Sequence, residues 1–361
     1  MLLAFKDFGI AFLSTLCVLP FIIWYFNKQK IHDEPGGRKV HKVVKPSMGG
    51  LAIFAGVVMS LGLSTIQNQF EYSKYLLLAG SIMLVTGMLD DIWNLSPKLK
   101  LLGQIPAALL LIHFVDIRIT SFHGLFGINE IPVFVSYPLS LFVYLALINA
   151  FNLIDGIDGL AGTLATIFFT ILGTWLVLAG HNIAGFACLA LVGAILGFLV
   201  FNWEPSRIFM GDTGSLFLGF MLCAGVLYFI NTSAALEITH PLKFENSVSA
   251  GICFIIIPLV DTLRVFTIRI SEGRSPFSPD QNHLHHRLLK LGFNHSGAVL
   301  MLGFVNVFFI MLAFAGKDLN DNIMFPIIVA TVFLLLKVLS IASKRKEEKD
   351  RVSSQKMSLI R

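Results

Sequence analysis

Apolar stretches about twenty residues long recur along nearly the whole of this 361-residue chain, and that recurrence constrains the fold more than any other feature. Water tolerates few such runs. A bilayer core accepts one helix for about every 20 apolar residues and requires each backbone N–H and C=O inside it to pair. Windows of that length give eleven candidate spans: 5–26, 48–66, 72–89, 99–115, 132–151, 160–179, 183–201, 213–230, 248–270, 297–315 and 323–342. Charged residues make up only 14% of the chain, against roughly 25% in soluble proteins, and no soluble domain separates from the spans. The expectation is an all-α polytopic membrane protein with about eleven transmembrane helices. It would form a single transmembrane catalytic domain over 1–343 and a basic cytoplasmic tail over 344–361.

The first apolar run reads as a retained helix. Its basic residues follow the run instead of preceding it, and no small-residue cleavage site is apparent. The four cysteines, Cys17, Cys188, Cys223 and Cys253, all fall in predicted spans. That distribution suits small buried hydrophobes and not a disulfide framework or a thiolate metal site.

Orientation follows from Lys and Arg. With the N-terminus outside, 21 of the 27 basic residues fall in inner loops or the tail and five fall outside. Cations concentrate on the cytoplasmic side of membrane proteins, so the N-terminus is expected outside and the C-terminus in the cytoplasm. The run "KRKEEKDRVSSQK" would lie near anionic lipid, and no nucleic-acid partner is expected. The same assignment places every polar motif on the inner side: "LDDIWNLSPKLKLLGQ" (89–104), "NAFNLIDGIDGLAG" (149–162), "NWEPSRIFMGDTGS" (202–215) and "SPFSPDQNHLHHRL" (275–288). The outer loops, such as "GHN" and "GKDLNDN", look like connectors. The active site is therefore expected at the cytoplasmic face.

Any one of the carboxylates Asp90, Asp91, Asp155, Asp158 and Asp212 reads equally well as an interfacial residue or a helix cap. Together they place acids at three helix ends on one face. Converging like charges need a cation, and hard oxygen ligands suit Mg²⁺ or Mn²⁺. Glycines in "DGIDGLAG" and "GDTGS" would let helix starts aim N–H groups at an anion such as phosphate. His283, His285 and His286 lie beside Arg287 and have only Asp280 as a nearby acid, which favours contacts to an anionic ligand over a zinc site. Asp261 and Arg264, at i and i+3, would pair with each other, or Arg264 would face a phosphate or headgroup. In "GRKVHKVVKPSMGG", Arg38, Lys39, His41, Lys42 and Lys45 read mainly as positive-inside residues.

The four motifs, in this order, closely resemble those of the polyprenyl-phosphate N-acetylhexosamine-1-phosphate transferases, over about residues 28–295. The run "GRSPFSPDQNHLHHRLLKLGF" is most similar to the branch that carries N-acetylglucosamine. The resemblance implies a multi-pass protein of the bacterial cytoplasmic (inner) membrane. It implies transfer of N-acetylglucosamine 1-phosphate from a UDP-sugar donor to undecaprenyl phosphate, with release of UMP. This would be the initiating step of an envelope polysaccharide of the O-antigen or common-antigen type. It further implies Mg²⁺, with Mn²⁺ as a substitute, on Asp212, and Asp90, Asp91 and Asp155 as catalytic carboxylates. Asn152, Asp158, His283, His285, His286 and Arg264 would bind substrate.

Two other classes fit less well. An ion-coupled transporter places ionisable groups near the midplane and often shows inverted repeats, and neither is seen here. A CDP-alcohol phosphotransferase needs a "DGxxAR" run, where this chain has "DGIDGLAG".

Overall fold

The computed structural model describes residues 2–29, 45–63, 73–275 and 282–360. Arg38, Lys39, His41, Lys42 and Asp280 lie outside the described residues. Among the described residues the chain is helical throughout, apart from loops and one isolated antiparallel bridge between Ser121 and Glu130. Its helices are α1 (Leu2–Gln29), α2 (Gly49–Leu63), α3 (Ser73–Trp93), α4 (Pro97–Leu110), α5 (Val133–Ile154), α6 (Leu160–Leu178), α7 (Asn182–Asn202), α8 (Gly211–Ala235), α9 (Ser247–Phe254), α10 (Ile256–Ser271), α11 (Leu284–Lys290), α12 (His295–Ala315) and α13 (Asp321–Ile360).

Nine of the described helices are long and apolar enough to cross a membrane, and a bent pair makes a tenth. That pair is α9 and α10, which meet at 80° where the sequence predicts one continuous span over 248–270. The break falls at Ile255, whose φ of −115° and ψ of 22° lie outside the helical region. Pro258 accounts for it. Its ring cannot donate to the carbonyl four residues back, that of Phe254, and would collide with it. The described part of the second predicted span, α2, has 15 residues.

Helix α8 is the axis of the bundle and packs against α2, α3, α5, α6 and α9. In its most apolar stretch 78% of residues are buried, against 11% in α13. An aromatic cluster fills the space between α6, α8, α9 and α12. Phe229 stands 4.7 Å from both Trp175 and Phe254 and 5.4 Å from Phe244, ring centre to ring centre. Such pairs contribute about 0.5–1.5 kcal/mol each beyond their area. At the same end of the bundle, the carboxylate of Asp321 accepts the Ser249 N–H at 2.7 Å and pins the start of α13 to the start of α9. At 40 residues and 1.5 Å per residue, α13 spans roughly 60 Å, about twice a bilayer core. The basic residues from Lys344 onward continue this helix.

Of the cysteines, Cys188, Cys223 and Cys253 are buried as expected, whereas Cys17 is exposed on α1. The loops that carry the polar motifs gather at the other end of the bundle. They join α3 to α4, α5 to α6 and α7 to α8, with the Lys45–Met48 segment beside them.

Candidate active site

Each acidic side chain at this end is placed by a local rule of the backbone. Helix α3 ends one residue before Asn94, whose positive φ of 49° turns the chain. Ser96 then caps α4, accepting the Leu99 N–H, with Pro97 in the first helical position, where its missing N–H costs nothing. One turn into α4, Lys100 faces back toward the end of α3. Its ammonium lies 2.8 Å from Asp90 Oδ2 and also contacts Asp212 Oδ2. Two carboxylates from separate helices thus share one lysine.

Asp91 has a different task. Its Oδ1 accepts the Asp212 N–H at 2.9 Å, and its Oδ2 accepts the Thr213 N–H at 3.0 Å and the Thr213 hydroxyl at 2.6 Å. Both oxygens are committed to the first turn of α8, whose own cap residue, Met210, has no side-chain acceptor. Gly211 makes the approach possible. Its φ is +70°, and a Cβ there would stand 1.8 Å from Ser47 O and 2.5 Å from Asp91 Oδ2. Asp91, expected as a catalytic carboxylate, lines the cavity described below and also caps α8. Of the α8 N–H groups expected to face an anion, those of Asp212 and Thr213 are taken by Asp91.

Helix α5 ends at Ile154, and Asp155 caps it with its own N–H on Asn152 O. Asn152 donates to Ser215 Oγ at 2.8 Å, tying α5 to α8. Asp158 accepts the Ser206 N–H at 3.2 Å and lies 3.7 Å from the Lys45 ammonium. Lys45 in turn donates to Ser206 Oγ at 2.8 Å and lies over the Phe209 ring. Asn202 accepts from Gly159 N and donates to Ile208 O, so one amide holds two loops. The Phe209 N–H donates to Pro46 O, and the Gly49 and Gly50 N–H groups donate to Phe209 O and Met210 O. This short ladder seats Ser47 beside Gly211.

These segments enclose a cavity of about 260 Å³, lined by Asp90, Asp91, Asn152, Asp155, Asp158 and Asp212 among others. The structure therefore brings six of the ten sequence-predicted site residues around one space. Burial, reinforced by the charges of Asp212 and Asp158, raises the Asp155 carboxyl to about 7. Asp90 Oδ1 is buried with no hydrogen-bond partner.

His283, His285, His286 and Arg264 do not line this cavity. His285 is 1% exposed and sits behind the Asp155–Asp158 loop. A Cβ on Gly156 would fall 2.4 Å from its Nε2, so only glycine admits the ring there. Burial, with the neighbouring histidines, holds His285 well below the usual imidazole range. Its ring neighbours are His286, at 4.2 Å between ring centres, and His283, at 5.7 Å. Arg264 donates to Asn282 O at 2.5 Å, and Asp261, for which pairing with Arg264 is one of two expectations, accepts from His283 and Leu284.

Sequence reasoning did not single out Lys100, Ser47, Asn94, Asn202, Phe209 or Ser215. For Lys100 a signal exists. "NLSPKLK" is a turn, a cap and a first-turn proline, and that cap fixes which lysine faces back toward the aspartates.

Comparison with known proteins gives concordant matches. The family described as "Glycosyl transferase family 4" matches residues 73–230. A Bacillus subtilis (strain 168) protein, named "Probable undecaprenyl-phosphate N-acetylglucosaminyl 1-phosphate transferase", is 31% identical over 91% of this chain and 89% of its own length. The undecaprenyl-phosphate alpha-N-acetylglucosaminyl 1-phosphate transferase of Escherichia coli (strain K12) is 30% identical over 81% of this chain and 78% of its own length. Its namesake in Salmonella typhimurium (strain LT2) is 34% identical over 75% and 72%.

Proposed function

We propose, from the premise that this chain belongs to the polyprenyl-phosphate N-acetylhexosamine-1-phosphate transferase family and is a membrane phosphotransferase, that it transfers N-acetylglucosamine 1-phosphate from UDP-N-acetylglucosamine to undecaprenyl phosphate. An oxygen of the lipid phosphate attacks the β-phosphorus of the donor. The bond from that phosphorus to the bridging oxygen breaks, UMP leaves, and undecaprenyl-diphosphate-N-acetylglucosamine forms. The observation that carries this reading is the convergence of Asp90, Asp155, Asp158 and Asp212 at one cavity, with Lys100 bridging Asp90 and Asp212, in a protein built of membrane-length helices.

Phosphoryl transfer asks a protein mainly for positioning and charge neutralisation. The attacking lipid phosphate is itself an anion near neutral pH, so the reaction needs no strong base. That suits a site in which the two Asp91 oxygens are already committed. Lys100, held between Asp90 and Asp212, supplies a cation that can move from the carboxylates to a phosphate oxygen. Asp158, held by Ser206 and Lys45 at the far side, orients the nucleoside end of the donor.

The donor set fits a hard divalent ion. Asp90 Oδ1 is buried and unpartnered, and Asp212 and Asp155 face the same cavity. Among the described residues no three such groups form a ready-made cage. That agrees with Mg²⁺, which is commonly held by one or two carboxylates together with substrate phosphates. Asp212 and Asp90, with Asp155 close by, would hold it, and Mn²⁺ would substitute. When bound, it neutralises and polarises the donor diphosphate.

The basic-residue asymmetry supports an N-terminus outside, a C-terminus in the cytoplasm and a site on the cytoplasmic side. The nine long helices, α2 and the bent pair give eleven spans, and the bacterial relatives support the bacterial inner membrane. The product would initiate an envelope polysaccharide of the O-antigen or common-antigen type. The test is UMP release by detergent-purified protein given undecaprenyl phosphate, Mg²⁺ and UDP-N-acetylglucosamine, with UDP-N-acetylgalactosamine and EDTA in parallel. Metal-dependent release with the first donor is expected. No release from folded protein with any UDP-sugar would overturn the reading.

A further inference from the structure

Asp261 is a carboxylate buried to 0% exposure on α10, and the function described above does not use it. Its Oδ2 lies 2.7 Å from His283 Nδ1, and its Oδ1 accepts the Leu284 N–H at 2.7 Å. A carboxylate so deep needs full hydrogen bonding to be tolerated, and these two contacts provide it. One turn further along α10, Arg264 holds Asn282 O. The helix therefore grips three consecutive residues, 282–284, through two side chains.

The grip has a chemical consequence for His283. With the carboxylate accepting at Nδ1, the imidazole proton is fixed there, and Nε2 is left as the nitrogen that Asp261 does not engage. The His283 ring stacks on His285 with 9° between planes, and His285 abuts Gly156, the residue that follows Asp155. The dyad is thus coupled to the Asp155–Asp158 loop through one intervening ring. The bend at Ile255 makes this possible, because it turns α10 away from the line of α9 and presents Asp261 to α11.

We propose that Asp261 is a positioning residue for the transfer reaction: through its contact to Nδ1 it fixes the tautomer and ring plane of the buried His283, against which His285 stacks behind the Asp155–Asp158 loop, and so holds that loop in place at the cavity. The inference rests on the phosphotransferase reading. Asp261 itself touches no substrate. Groups that face the dyad are His285 and His286 on α11 and Arg264 on α10.

The test compares wild type, Asp261→Asn, His283→Gln and the double variant, with kcat and KM for UDP-N-acetylglucosamine measured separately and folding followed by thermal melting in detergent. The Asp261→Asn variant keeps an oxygen for the Leu284 N–H but offers an amide N–H to Nδ1, which forces the imidazole proton to Nε2. The expected result is a melting temperature near that of wild type and a loss in kcat/KM of ~10- to 100-fold, the range for groups that orient a functional histidine. In the His283→Gln background, Asp261→Asn should cost less than about twofold more, because positioning residues act through their partner. Independent losses that multiply in the double variant would overturn the proposal, as would a fully active Asp261→Asn. If Asp261→Asn does not fold, His283→Gln, which keeps the Leu284 contact, must lose kcat/KM by a similar factor, and unchanged kinetics would overturn the proposal. A wild-type protein without UMP release would instead count against the phosphotransferase reading, so the two failures are distinguishable.

Discussion

The Lys100 ammonium lies 2.8 Å from Asp90 Oδ2 while also contacting Asp212, so a single side-chain cation joins the ends of α3 and α8. Charge-assisted contacts of this kind, partly shielded from water, are among the stronger polar interactions in proteins. The same ammonium neutralises the two acids that, on the proposed reading, would hold the divalent ion. Lys100→Met should therefore lower the melting temperature of metal-free protein and reduce UMP release on the order of 10²-fold or more. Added Mg²⁺ should restore more of the lost thermal stability in the variant than it adds to wild type. Equal Mg²⁺ stabilisation of both proteins would contradict the shared-carboxylate account.

Asp91 acts as the cap of α8. Asp91→Ala would leave the Asp212 and Thr213 N–H groups without their acceptor, at a cost of about 1–3 kcal/mol. Asp91→Asn keeps one acceptor oxygen and should lose less. Thermal melting of the two variants in detergent checks the order, and equal losses would argue against the capping role.

Gly156 and His285 form a steric pair. Gly156→Ala should disturb the Asp155–Asp158 loop, because its methyl would lie 2.4 Å from the imidazole. Activity should fall at least tenfold, since small displacements of catalytic groups cost rate steeply. His285→Ala, made in the same chain, should recover part of the loss. No recovery would show that the ring is not what the alanine meets.

Glu204 provides a pH-dependent tie. Its carboxylate accepts the N–H and hydroxyl of Ser296 at the start of α12, and the Ser296 N–H holds it below the usual carboxylate range. A lowered carboxylate pKa stabilises the fold above the unfolded-state value and loses that contribution as pH falls through the folded-state value. Solvent screening keeps the contribution below about 1 kcal/mol. The melting difference between wild type and Glu204→Gln should be full at pH 7 and shrink below about pH 4, the unperturbed range for Glu. A difference that does not change with pH would exclude this tie.

Much of this architecture is legible in the amino-acid sequence. Long apolar runs locate the helices, since span length and backbone pairing leave a membrane chain few choices. The motif order places Asp90, Asn152, Asp155, Asp158 and Asp212 in one site, because acids at helix ends on one face can converge on a shared cation. The break at Ile255 is hidden even with Pro258 in plain sight, because the apolar run continues through it unchanged. The cap at Asp91 is illegible for a different reason. Adjacent aspartates look alike in sequence, and only the packing of α3 on α8 separates the one that faces Lys100 from the one that holds backbone. The same holds for Asp261. Helical spacing suggests Arg264 as its partner, yet the donors it accepts from are offered by His283 and Leu284, more than twenty residues away.

The central claim is that phosphorus, and not the sugar alone, moves to the lipid. The most direct measurement uses UDP-N-acetylglucosamine labelled with ³²P in the β-phosphate, mixed with the purified protein, undecaprenyl phosphate and Mg²⁺, followed by solvent extraction. The account predicts that the label enters the lipid phase in step with UMP release, and that Asp212→Asn abolishes both. Label retained in UDP in the aqueous phase, with sugar on the lipid, would contradict it.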